Sequence, residues 1–174
     1  MLKSIVFLLL TLTSILLAGC SSDILDELVE PTTDYDGDHL VIGMLGDQPD
    51  AEFTNVRFED VQVEDFSEHE DLDGLIINDE DLFQELSQPA YTDTFNEMKI
   101  PTFFIGLRKP YYLFLHEDQI YDETHENESF GLVQGFVFDA DQNRLTWELK
   151  VGEDDYDSDA TYTKIFDIID QHEE

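Results

Sequence analysis

Hydrophobic and polar positions divide this chain into short apolar runs separated by acidic, turn-rich stretches. His39-Leu40-Val41-Ile42-Gly43-Met44-Leu45 is almost continuously apolar, the pattern of a strand buried on both faces. Gly46-Asp47-Gln48-Pro49-Asp50 closes it with turn residues. Val56 and Phe58 alternate, and so do Val61 and Val63, but the two pairs are out of phase, which predicts either a bulge or two short strands. Asp73 to Asp79, built around Leu75-Ile76-Ile77, is a second buried-strand pattern. Over residues 80–99 the apolar positions take helical spacing in two pieces. Leu82, Phe83 and Leu86 form the first; Tyr91, Phe95 and Met98 form the second, which Pro89 opens without losing a hydrogen bond. Ile100 to Gly106 is a third buried strand with Pro101 near its start. Strand, helix and strand over about 35 residues make a βαβ unit, expected to cross over right-handed.

Tyr111-Tyr112-Leu113-Phe114-Leu115 predicts a further strand or edge segment, and residues 116–129 an acidic loop. Phe130 to Asp139 and Leu145 to Val151 flank Ala140-Asp141-Gln142-Asn143-Arg144 as a hairpin, with Leu145, Trp147 and Leu149 alternating strictly. Tyr162, Ile165, Phe166 and Ile169 then draw one helical stripe, capped at Asp159 or a neighbouring residue. The expected class is α/β: a small three-layer or incomplete doubly wound sheet with a C-terminal β-hairpin and a terminal helix. One crossover lacks a helix, because residues 47–55 are too short and polar to supply it.

The first twenty residues follow different rules. Lys3 precedes an apolar run from Ile5 to Leu17 that Thr11, Thr13 and Ser14 interrupt, and small residues follow it, as in a secretory signal. Leu17-Ala18-Gly19-Cys20 resembles the lipobox of bacterial lipoproteins. That resemblance implies cleavage before Cys20 and acylation of its sulfur with diacylglycerol carrying palmitate-class chains. The competing reading is an ordinary signal peptide or anchor with a bystander cysteine. The expected organisation is a signal peptide over 1–19, an acidic flexible tether over 20–38 and one α/β domain over 39–174. The tether carries seven acidic residues between Ser21 and Asp38, no basic one, and Pro31-Thr32-Thr33.

Composition changes the picture through charge. The 174 residues hold 42 acidic and 8 basic side chains, for a net charge of −34. Lys3 leaves with the leader and no acidic residue does, so the mature chain is near −35. A charge of this size opposes compaction, keeps copies apart as monomers, and disfavours nucleic acid and anionic lipid headgroups. It favours cations or a basic protein as partners. Salt shortens the screening length from about 10 Å at 0.1 M to about 3 Å at 1 M, so a salty or alkaline exterior suits such a surface. An apolar content of 41% is still enough for one core. The single cysteine excludes an internal disulfide.

A wider resemblance runs through Val41-Ile42-Gly43, Gly46-Asp47, Pro49, Asn55-Val56, Phe58, Asp73, Ile76-Ile77, Tyr91, Phe95, Lys99-Ile100-Pro101 and Phe103-Phe104-Ile105. It continues through Gly135, Trp147 and the Tyr162, Ile165, Phe166, Ile169 tail. In these positions the chain is similar to small uncharacterised lipoproteins of Gram-positive bacteria of the Bacillus kind, though it is much more acidic. The resemblance implies a fold and a location. It brings no activity, ligand or catalytic residue.

Motifs for chemistry are sparse. His39, His69, His116, His125 and His172 lack an HExxH frame or a cysteine partner for zinc. Asp34-Tyr35-Asp36-Gly37-Asp38 and Asp155-Tyr156-Asp157-Ser158-Asp159 alternate carboxylates as calcium loops do. Neither completes an EF-hand loop, and Phe166 stands where the second would need its bidentate glutamate. Ser67 beside His69 has no elbow motif, and Gly43 with Gly46 lacks the phosphate-binding spacing. One geometric expectation remains: in open α/β sheets ligands gather beyond the carboxyl ends of the strands. That rim would carry Asp47, then Asn78 and Asp79, then Arg108 and Lys109. The two basic residues would either meet an anionic group or offset Asp47 and Asp79. The expected function is a membrane-anchored, extracytoplasmic, non-catalytic binding or accessory module that needs no cofactor. The alternative is a small metal-dependent hydrolase with its carboxylates at the strand ends.

Overall fold

The computed structural model describes residues 35–65 and 71–173. The leader, the Leu17–Cys20 segment, Ser67 and His69 lie outside the described residues. The chain runs β1 (Leu40–Leu45), β2 (Val56–Asp60), β3 (Gly74–Ile77), α1 (Glu80–Leu86), α2 (Pro89–Glu97), β4 (Thr102–Ile105), β5 (Val133–Phe138), β6 (Arg144–Leu149) and α3 (Asp159–Glu173). The six strands form one mixed sheet in the order β2-β1-β3-β4-β5-β6. The first four are parallel and the last two antiparallel.

The apolar runs sit where their pattern requires. Every residue of β3 and β4 is buried, because both faces of these central strands are covered. One face carries Leu75, Ile77, Phe104 and Phe136 under Phe83, Leu86 and Phe95 of α1 and α2. The other carries Ile42, Met44, Ile76 and Phe103 under Tyr162, Ile165, Phe166 and Ile169 of α3. On this second face Gly135 leaves room for the Phe103 ring, since a β-carbon there would come within 2.6 Å of it. Phe103 in turn stacks on Trp147 with ring centroids 5.5 Å apart. Pro89 opens α2 as its first residue, as its missing N–H allows.

Two expectations are corrected. Tyr111–Leu115 is a 3₁₀ turn and not a strand. The edge of β4 is already filled by β5, so this run has no ladder to join and closes on itself through Leu113 N–H to the Pro110 carbonyl, 3.2 Å. Its side chains cover the sheet instead: Phe114 lies stacked on Phe104 at 4.3 Å. The phase change between Val56/Phe58 and Val61/Val63 marks the end of β2, with neither a bulge nor a second strand. Val61 N–H still donates to the Met44 carbonyl at 2.8 Å, but its side chain enters the α1/α2 face while Val56 and Phe58 pack on the α3 face.

At the amino end the chain joins the core within the stretch read as tether. Tyr35 is buried and meets Phe166 edge-on, ring centroids 5.7 Å apart.

Candidate functional site

The carboxyl ends of β1, β3 and β4 lie on one rim, and the start of β5 and end of β6 reach the same rim because those strands run the opposite way to each other. The five expected rim residues fall into two groups there.

Asp47, Asn78 and Asp79 form the first group. Asn78 is half-buried at the exit of β3; its Nδ2 donates to the Asp47 carbonyl at 2.6 Å and lies 3.0 Å from the Tyr162 hydroxyl. The close approach needs Gly46, whose φ of 121° is open to glycine and whose β-carbon would land on Asn78 Oδ1. Asn78 Oδ1 is buried and lacks a hydrogen-bond partner. Asp79 is the cap of α1, its Oδ1 accepting from Asp81 N–H at 2.9 Å. Asn78 and Asp79 thus hold the loop and the helix in place. The helical stripe marks Tyr162 as core; its ring is core, and its hydroxyl also ties α3 to the rim. Burial raises its pKa, with the hydrogen bond to Asn78 acting against that rise.

Arg108 and Lys109 form the second group, on the exit of β4. Arg108 Nη1 pairs with Glu153 Oε1 at 2.9 Å, and that pairing raises its pKa. Lys109 Nζ donates to the Tyr121 carbonyl at 2.7 Å and stands 3.9 Å from the centroid of the Tyr121 ring. The backbone behind them is fixed by Gln134, a polar side chain almost wholly buried. Its amide donates to the Lys109 and Gly131 carbonyls, each at 3.0 Å, and its Oε1 accepts from Tyr111 N–H. The basic pair is therefore offset locally by Glu153 and by the Tyr121 carbonyl and ring, rather than by direct pairing with Asp47 or Asp79.

Beside Arg108 opens a cleft of about 630 Å³ between the loop before β5 and the segment after β6. Glu126, Phe130, Lys150 and Glu153 line it with Arg108. A second hollow of about 450 Å³ adjoins it through Lys150, Val151 and Gly152, and reaches Asp155, Ser158 and Lys164 at the start of α3. The rim pattern in the sequence points to Arg108. It misses Lys150, Glu126 and Glu153, because those come from a loop and a strand end far along the chain.

Metal geometry does not assemble among the described residues: no three His, Cys, Asp or Glu side chains come together as a metal site. Asp155 instead uses its carbonyl to accept from the Thr161 hydroxyl at 2.8 Å, bracing the turn into α3. The aromatic residues Tyr111, Tyr112 and Phe114 are mostly core. Phe114 is buried and Tyr111 stacks on Phe136, which leaves Tyr112 as the exposed member. Among the described residues no helix is long and apolar enough to cross a membrane. The chain matches no protein-family model, no curated protein and no solved structure.

Proposed function

We propose that this chain is a lipid-anchored, extracytoplasmic lipoprotein whose acidic α/β domain binds rather than catalyses. In this reading Cys20 carries the acyl chains, the leader through Gly19 is removed, and the domain stands off the bilayer. Several buried acyl chains on one residue give durable attachment, at about 0.8 kcal/mol per methylene. The surface, with a net charge near −35 once the leader is removed, favours cations or a basic protein partner over nucleic acid and anionic lipid. The fold is read as an incomplete doubly wound sheet, helix-covered on both faces but lacking a helix between β1 and β2.

The observation supporting binding over hydrolysis is how the rim is used. Asn78, Asp79 and Lys109 are engaged in holding loops and a helix, while the open cleft beside them has a mixed lining of Arg108 and Lys150 with Glu126, Glu128 and Glu153. A metal-dependent hydrolase would need carboxylates converging on one point, and Asp79 is turned to its helix cap instead.

Fractionation of producing cells tests the anchoring. The native protein is expected in the membrane fraction, with acyl mass on an amino-terminal Cys20, and Cys20→Ala is expected to move it to the soluble or secreted fraction. A wild-type protein found soluble inside the cell with Lys3 still attached would overturn the assignment.

A further inference from the structure

The sheet ends on β6, and among the described residues nothing pairs with its outer edge. The hydrogen-bond phase of that edge follows from the turn before it. Asp139 N–H donates to the Asn143 carbonyl at 3.0 Å, in the same register that sets Val137 opposite Leu145 and Gly135 opposite Trp147. Bonded pairs alternate along an antiparallel ladder, so Leu145, Trp147 and Leu149 turn their backbone groups to β5. Arg144, Thr146 and Glu148 therefore turn theirs outward. Their side chains share one face, Arg144 lying 5.5 Å from the Tyr111 ring centroid and Glu148 accepting from Gly131 N–H.

This edge reads the same from both directions. A two-fold axis through Thr146 sets Thr146 against its own copy, Arg144 against Glu148, and Glu148 against Arg144. All three fall on outward-facing backbone positions, so the ladder is continuous. On the opposite face the same axis sets Leu145, 46% exposed, against Trp147 across a non-bonded pair, where side chains approach most closely. Charged residues on an edge ordinarily keep copies apart. Here the signs are complementary under the axis, and with Lys150 beyond it the strand is locally neutral to cationic on a molecule of net −34. On the other edge, Arg57 and Glu59 of β2 pair with each other within the strand.

We propose that β6 is a homodimerisation edge: two copies join their sheets antiparallel about Thr146, held by reciprocal Arg144–Glu148 pairs. The contact is small, and the charge on each copy opposes it, so association is favoured by salt that screens the long-range repulsion more than the adjacent pairs. Independent of whether the domain is anchored or what fills the cleft, this requires only the folded sheet.

Sedimentation of the full chain in excess neutral detergent tests it. At about 1 M sodium chloride the wild type is expected to be dimeric, and at about 0.05 M monomeric. Arg144→Glu and Glu148→Arg are each expected to weaken self-association roughly tenfold or more when alone. Mixed in equal amounts they form dimers again, because each supplies the sign the other lacks. Thr146→Cys, which keeps both charges, is expected to give an oxidised dimer well above the wild type, whose only cysteine is Cys20. A wild type that stays monomeric in high salt overturns the proposal. So do single variants that associate as well as the wild type, a mixture that stays monomeric, or no excess cross-linking through residue 146. Circular dichroism of each variant separates lost pairing from lost folding.

Discussion

Tyr121 shows how much one side chain can decide at this rim. Its buried ring lies beneath the Lys109 ammonium, its carbonyl accepts from the same group, and its N–H donates to Ser87 Oγ at 3.0 Å. Burial first, and then the carboxylates of Glu80 and Glu126, push its phenol up to about 12. The raised value means that the folded protein holds this proton longer than the unfolded chain, which releases it near 10. Its contribution is therefore intact below about pH 10 and is lost as pH rises towards 12. Tyr121→Phe is expected to be more stable than wild type by on the order of 1 kcal/mol at pH 11, relative to any difference at pH 8. Urea melts at the two pH values check this, and an unchanged difference would refute it. The sequence shows Tyr121 only as one aromatic in an acidic loop. Lys109 is legible as a rare basic residue, but its partner is not, because eleven residues, five of them in the Tyr111–Leu115 turn, intervene between the two.

Elements are where the sequence speaks most directly. Buried strands β1, β3 and β4 and the break between α1 and α2 are written in short apolar runs and in Pro89, since burial on both faces leaves few residue types possible. The run Tyr111–Leu115 carries the same composition and becomes a 3₁₀ turn, because strand formation depends on a free neighbouring edge. Caps are also local and therefore testable at this scale. Asp79 satisfies Asp81 N–H at the start of α1, a helix of only seven residues that carries Phe83 and Leu86 into the core. Asp79→Ala is expected to cost about 1 kcal/mol in equilibrium unfolding, and Asp79→Asn a few tenths, because asparagine keeps the accepting oxygen. An alanine variant as stable as wild type would remove the cap from the account.

For the whole molecule the governing quantity is charge. Forty-two acidic side chains on the chain, 35 of them in residues 39–174, repel one another in the folded state more than in the expanded one. The melting temperature is expected to rise by several degrees between about 0.1 M and about 1 M sodium chloride, and a midpoint indifferent to salt would discard this reading. That expectation needs no coordinates, and neither does the α/β class, because net charge and apolar periodicity are sums over the chain that folding does not rearrange. The rim is different. Residue order along the chain could place Asn78 and Arg108 at strand ends, but not set Asn78 beside Tyr162, Glu153 against Arg108, or Lys150 across the cleft. Nor could it say which strand would be left at the edge of the sheet. Those pairings join segments tens of residues apart, and only the strand order and direction of the folded sheet bring them within a few ångströms.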